Sequence, residues 1–190
     1  ERLLPAVDDL LDATGVTMNA LGMVCCGGGP GSFTSLRIAA AIAKGIAFGR
    51  GLPLATRSSL TLTVAGTPGL RPGLYLSVLD AMRGQFFVAP VELLSLGEVR
   101  ERGPIEILTS AELSQRLHAS GALAIGSGQA IAGRPHARGF AGLRSARPTF
   151  ATSEAGPEMV DVSSWEPDYG RQAEAQARWE ADHGRPLSSA

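Results

Sequence analysis

The sequence predicts an α/β protein. Two observations carry that expectation. Segments with apolar residues at helical spacing alternate with strand-like runs along the chain, and several of those runs are continuously apolar, as strands covered on both faces are. Composition sets the frame. The 190 residues are 44% hydrophobic with a net charge of −1, which suits one substantial globular domain or two small ones and excludes a disordered chain. Seventeen Lys and Arg stand against eighteen Asp and Glu. No global basic field therefore recruits nucleic acid, and any contact with RNA must come from a local patch or through a partner.

Taken in order, Leu3, Leu4, Val7, Leu10 and Leu11 recur at helical spacing, with Asp8, Asp9 and Asp12 largely on the other side. This predicts a helix over 2–14, with Pro5 tolerated in its first turn and Gly15 as its stop. The run LGMVCCG reads as a buried strand. Its cysteines, Cys25 and Cys26, are adjacent, which excludes a secreted disulfide framework. On extended backbone they point to opposite faces and read as small fillers of a reduced, cytosolic protein. GGGPGS is a loop, and a long helix follows over 32–48. LPLAT predicts a short strand, SSLTLTVAG a helix, and GLYLSVLDA a buried strand with QFFVAPVELL as its antiparallel neighbour across the turn at 82–84. VRERGPIEIL is a weaker strand or hairpin, SAELSQRLHAS a helix, and ALAIGSG a strand entering a glycine turn. Residues 133–157 are rich in Gly, Pro and Arg and read as loop, and 172–184 as a closing helix. No run of 18 apolar residues predicts a membrane span, and no signal peptide is recognised. The chain opens on Glu1 inside a helical pattern, so we expect that its beginning is missing.

Residues 27–50 carry most of the information. Gly28, Gly29, Gly31 and Ser32 form a candidate anion loop, because glycines allow tight turns and Ser32 can cap a helix N-terminus that favours negative charge. A sharp strand-to-helix turn that needs glycine for packing explains the same residues, and neither GxxxxGK[ST] nor GxGxxG is present. The helix that follows has only two charged residues between Phe33 and Phe48, Arg37 and Lys44. Leu36, Ile38, Ala39, Ile42, Ala43, Ile46 and Ala47 cover well over half of its circumference, so it must be buried on more than one face. One face can pack on its own sheet, and the other needs a second domain or a second protein. Its alanines and Gly45 allow a close helix approach.

The stretch GPGSFTSLRIAAAIAKG closely resembles the signature of the TsaB (YeaZ) family. The resemblance extends to ERLLPAVDDLL, LPLATRSSL, DAMRGQFFVA and the terminal EPDYGR. It implies an actin-like, ribonuclease H-like α/β fold of two similar half-domains, here 1–68 and 69–190, the first lacking its opening strands. It also implies a cytoplasmic, non-catalytic scaffold in the formation of N6-threonylcarbamoyladenosine in tRNA. Such a scaffold pairs with a TsaD-like catalytic subunit, is joined by a TsaE-like ATPase, can form homodimers and meets tRNA only through the complex. Ser35 and Ala39 stand where the family usually has glycine, and Gly170 where a larger apolar residue is usual.

The catalytic relatives carry an HxxxH metal site, in which imidazoles four apart on one helix face reach the same ion. Aligned on LPLATRSSLTLT, its positions fall on Ser59 and Thr63, so no metal, cofactor or catalytic residue is expected. His118, His136 and His183 have no ligand spacing. Asp80 with Arg83 is read as organising a turn, and Ser58 and Ser59 as helix capping, since no GxSxG elbow is present. Arg134, Arg138, Arg144 and Arg147 form a local basic set that either contacts a phosphate backbone or is simply solvated. Trp165, Pro167, Tyr169 and Arg171 match the family's terminal pattern and are expected to pack on the second half-domain. The family's two helices meet their counterparts in the partner as a bundle, which places Leu4, Val7, Leu11, Ala40, Ala43, Lys44 and Ala47 at or near that contact. The alternatives are a nucleotide-binding actin-like kinase or ATPase, and an inactive member of the glycopeptidase-like superfamily.

Overall fold

A computed structural model describes residues 2–94, 98–142, 158–170 and 182–184. Its helices are α1 (Leu3–Thr14), α2 (Phe33–Arg50), α3 (Ser59–Gly66), α4 (Ser110–Ser120) and α5 (Arg138–Gly142). Its strands are β1 (Val24–Gly27), β2 (Leu54–Arg57), β3 (Gly73–Asp80), β4 (Gln85–Leu93), β5 (Val99–Glu101), β6 (Glu106–Thr109), β7 (Leu123–Gly126), β8 (Ile131–Ala132) and β9 (Glu158–Val160). They form two sheets. The smaller has the order β1-β2-β9, with β1 and β2 parallel and β9 antiparallel to β2. The larger has the order β5-β4-β3-β7-β8, with β6 also paired to β4.

The larger sheet is covered on both faces, which is why its strands read as near-continuous apolar runs. Side chains alternate across a strand. Tyr75, Leu79, Phe87, Ala89, Val91 and Ile125 therefore share one face and form a core with Leu60 and Val64 of α3. Leu76, Val78, Val88 and Ala124 share the other and pack with Leu113 of α4. The hairpin β3–β4 is antiparallel over Gly73↔Leu93 to Asp80↔Phe86, as expected. Helix α4 starts with a full capping box: the Thr109 hydroxyl accepts from the Glu112 N–H, and the Glu112 carboxylate accepts from the Thr109 N–H. The smaller sheet packs one face on α2, through Cys26, Leu54, Ala43 and Ala47, with Val160, Val162 and Trp165 closing the cluster.

Four features depart from the sequence reading. β5 and β6 do not pair with each other; both lie antiparallel along β4, at Leu93↔Val99 and Val88↔Glu106 respectively, because Gly103 and Pro104 separate them. Helix α2 runs on to Arg50, where Gly51 adopts φ +62 and ends it. A short strand, β8, follows the glycine turn after β7. Within the stretch expected to be loop, 138–142 is the helix α5, with Phe140 packed against the main core. A Cβ on Gly139 would sit 3.1 Å from Leu62, so the glycine that suggested a loop serves close helix packing. Residues 143–157 of that expected loop and 172–181 of the expected closing helix lie outside the described residues.

Candidate partner face and glycine loop

Parallel β1 and β2 end side by side at Gly27↔Arg57, and the chain then turns through the glycine loop into α2. The turn brings Gly28, Gly29, Gly31 and Ser32 together. Its backbone is committed to this same chain: the Gly28 N–H donates to the Arg57 carbonyl at 2.7 Å, and the Ser59 N–H donates to the Gly29 carbonyl at 2.6 Å. The Gly28 carbonyl accepts from the Asp168 N–H at 2.7 Å. Gly29 adopts φ +97, and a Cβ there would fall 1.8 Å from the Asp168 carbonyl oxygen. Only glycine fits, because the segment 165–170 crosses it. Ser32 is the N-cap residue of α2 but makes no side-chain capping bond; its hydroxyl accepts from the Ser35 hydroxyl instead.

Helix α2 divides into three stripes. Ala40, Ala43 and Ala47 are buried; Ala43 and Ala47 belong to the core cluster under the smaller sheet. A second stripe, Phe33, Arg37 and Lys44, carries the crossing segment: Phe33 lies 4.6 Å from the Tyr169 ring, and Arg37 stands over Phe33. The Lys44 ammonium donates to the Trp165 carbonyl at 2.8 Å and pairs with Glu166 at 3.4 Å. Ala40, Ala43, Lys44 and Ala47, expected at a partner contact, are thus turned to the chain's own core and tail. The third stripe is open. Ile38, Ala41, Gly45 and Phe48 follow one another at spacings of three and four and are exposed, Phe48 to 80%. In α1 no residue is buried; Leu3, Leu4 and Leu10 are exposed, while Val7 and Leu11 are half-buried. The sequence could not set the phase of α2, because apolar residues cover most of its circumference. Its lone lysine was the available signal for the stripe that faces the tail.

The other singled-out residues have structural surroundings. Ser59 and Thr63 are buried in α3, where the Thr63 hydroxyl donates to the Ser59 carbonyl at 2.9 Å. Ser58 caps α3 by accepting from the Leu60 N–H. Among the described residues no three His, Cys, Asp or Glu side chains converge as a metal site. The Asp80 carboxylate accepts from the Met82 N–H at 2.7 Å and shapes the β3–β4 turn, where Met82 and Arg83 take positive φ. Arg57 was not singled out, yet its guanidinium donates to the Val99 carbonyl at 2.6 Å and ties the two sheets. Burial lowers its pKa, opposed by nearby Glu101. Glu101 also accepts from the Thr61 hydroxyl. Cys25 is exposed rather than buried, correcting half of the filler reading, whereas Cys26 is buried on the α2 face. Burial raises the Cys26 thiol to about 11, with help from Cys25. Arg134 and Arg138 are exposed; Arg144, Arg147 and Arg171 lie outside the described residues. Gly170, at φ +66, leaves no room for a side chain: a Cβ would meet Phe87 at 2.5 Å and Pro30 at 2.7 Å. Among the described residues no helix is long and apolar enough to cross a membrane.

The fold and the loop define a recognisable class. Residues 1–125 match the profile of the family described as TsaD, tRNA N6-adenosine threonylcarbamoyltransferase. The chain is 44% identical over 61 residues to the tRNA threonylcarbamoyladenosine biosynthesis protein TsaB of Haemophilus influenzae, covering 32% of this chain and 26% of that protein. It is 29% identical over 189 residues to the protein of the same name from Bacillus subtilis, covering 94% of this chain and 82% of the relative. The matched region is thus about a quarter of the first relative's length. Among solved structures, a Pseudomonas aeruginosa protein described as similar to peptidase YEAZ superposes with a TM-score of 0.72 at 27% identity. That superposition covers 90% of this chain and 83% of the other. The chain belongs to this family, on its TsaB (YeaZ) branch.

Proposed function

We propose that this chain is a non-catalytic scaffold in the formation of N6-threonylcarbamoyladenosine in tRNA, pairing with a TsaD-like catalytic subunit. The observation that carries the reading is the uncovered helical surface: α1 buries no residue, and the outer stripe of α2 exposes Ile38 and Phe48 beside the small Ala41 and Gly45. Exposed apolar surface of this kind marks a contact, and small residues let a second helix approach closely. Leu4, Val7 and Leu11 of α1 are assigned to the partner contact as well. The relatives' names support the pathway. Homodimers use the same face, a TsaE-like ATPase joins the pair, and tRNA is met through the complex in the cytoplasm. Residues 1–68 and 69–190 are then the two half-domains of an actin-like, ribonuclease H-like fold. The burial of Ser59 and Thr63 in α3, with the Thr63 hydroxyl spent on the Ser59 backbone carbonyl, supports the absence of a metal-dependent activity of its own.

Reconstitution tests this. The TsaD-like subunit, the ATPase, threonylcarbamoyl-adenylate and tRNA are combined with and without this protein. Modified adenosine is expected to form only when the protein is added, and none with the protein and tRNA alone. Equal product in its absence, or turnover by the isolated protein, would falsify the scaffold role.

A further inference from the structure

We infer that the groove at the end of the larger sheet, between residues 69–75 and the segment 131–138, docks an acidic, leucine-bearing peptide segment of a partner protein. The groove shares no residue with the α1 and α2 stripes, and the inference does not rest on the subunit proposed to meet them.

Charge is segregated along this chain. The sequence has no Asp or Glu between Asp12 and Asp80, and none between Glu112 and Glu154. These two acid-free stretches meet at the C-terminal end of α3. There a Cβ on Gly66 would lie 3.0 Å from the His136 Cβ and 3.7 Å from the Arg138 Cγ, and one on Gly133 would meet Ile125 at 2.8 Å and Thr63 at 3.0 Å. These close approaches hold 133–138 against the helix, and the His136 Nδ1 accepts from the Arg138 N–H at 3.0 Å. Arg71, Arg134 and Arg138 are exposed, and among the described residues their guanidiniums make no hydrogen bond or ion pair. Arg57, Arg100, Arg102 and Arg116 differ, since each meets an oxygen of this chain. The carboxylates of the adjoining strands are already engaged, Glu92 by Arg102, Glu98 by Arg100 and Glu101 by Thr61. A local cationic surface is thus built into a chain whose net charge is −1, and guanidiniums without acceptors favour an anionic partner.

The second observation is the groove itself. It holds about 480 Å³ and is lined by Leu70, Pro72, Leu74, Leu123 and Ile131 together with Arg71. That volume falls within the range of ligand-holding clefts, roughly 300–1,000 Å³. Leu74 and Leu123, near the starts of β3 and β7, are exposed. Arg134 follows the groove-lining Ile131 by three residues, and Gly66, against which Arg138 lies, precedes the groove-lining Gly69 by three. An apolar floor with a cationic rim fits an apolar side chain flanked by carboxylates. It suits RNA poorly. Stacking a base needs an exposed ring, whereas Tyr75, the aromatic residue of the lining, is buried and its hydroxyl donates to the Arg71 carbonyl at 2.6 Å.

Fluorescence anisotropy on the full chain tests the site with a short fluorescein-labelled peptide of alternating Glu and Leu pairs. Saturable binding is expected, weakened by added salt. The double variant Arg134→Glu, Arg138→Glu should weaken it about ten-fold, the worth of two exposed ion pairs. Leu123→Ala, and a peptide carrying Ala in place of Leu, should weaken it as well. All three substituted positions are exposed, so both variants should melt with the parent protein. The inference is overturned if the peptide does not bind, or if the variants bind it as the parent does. An oligouridylate of matching length that binds more tightly than the peptide would make the surface a phosphate site and overturn it equally. A lowered melt in the arginine variant would show those side chains engaged within the chain, with the same consequence.

Discussion

Helices α3 and α1 are built from similar amounts of apolar sequence and meet opposite fates. In the eight residues of α3, Ser59 to Val64 and Gly66 are buried; in the twelve of α1 none is. The hydroxyls of α3 look ill-suited to a core, yet both of its buried threonines have partners within the chain: Thr63 with the Ser59 carbonyl, and Thr61 with Glu101. A buried polar group with a partner is tolerated, so α3 is complete in itself. The leucines of α1 have no such completion. The same contrast runs through α2, whose alanine stripe is sealed against the smaller sheet while Phe48 stands 80% exposed. Burial is thus concentrated where this chain supplies both sides of a contact, and the exposed helical stripes are where the proposed partner would supply one.

Substitutions sharpen that comparison. Leu60→Ala in α3, a fully buried site, should cost about 3 kcal/mol in urea unfolding. Leu10→Ala in α1, at 63% exposure, should fall within about 0.5 kcal/mol of the parent. Equal losses would erase the distinction between the two helices. A smaller effect concerns Cys26 on the sealed face of β1. Its folded thiol is raised to about 11 from 9.0, chiefly by burial and then by Cys25. The unfolded chain therefore releases this proton first as pH rises. The stabilisation is fully present below pH 9 and is lost on passing through about 11. Cys26→Ala should flatten the stability profile in that window, and a profile unchanged by the substitution would contradict the burial of that thiol. Smallest is the α4 cap: Thr109→Ala should cost about 1 kcal/mol without affecting α1 or α2. The Glu112 carboxyl is held below its ordinary 4.5 by bonds from the Thr109 N–H and hydroxyl. Its contribution is thus present above 4.5 and lost as pH falls through the depressed value, a loss that Glu112→Gln should remove.

How much was legible depended on whether one residue pattern had one solution. The β3–β4 pair, α3 and α4 were readable because apolar runs, turn glycines and a capping Thr109 agree locally. The loop glycines were readable as a turn, but their occupant was not: Asp168 lies more than a hundred residues away in sequence, and only the close approach at Gly29 and Gly170 discloses it. Helix α5 hid behind Gly and Arg. The phase of α2 was undetermined because its circumference is mostly apolar, so Ala43 and Ala47 were placed at or near the partner contact, whereas their small volume fits them beneath β1 and β2. The same uniformity concealed Ile38 and Phe48 as the outward residues.

The central claim is that the exposed stripe of α2, and not its buried one, receives the TsaD-like subunit. One measurement compares Phe48→Asp and Ala47→Asp for thermal unfolding and for co-elution with that subunit. Phe48→Asp should melt with the parent protein and lose the partner, because a charge then faces an apolar contact without a counter-ion. Ala47→Asp should destabilise the chain itself by about 3 kcal/mol or more, since its carboxylate enters a sealed core. A Phe48→Asp protein that still co-elutes at parental affinity would contradict the account.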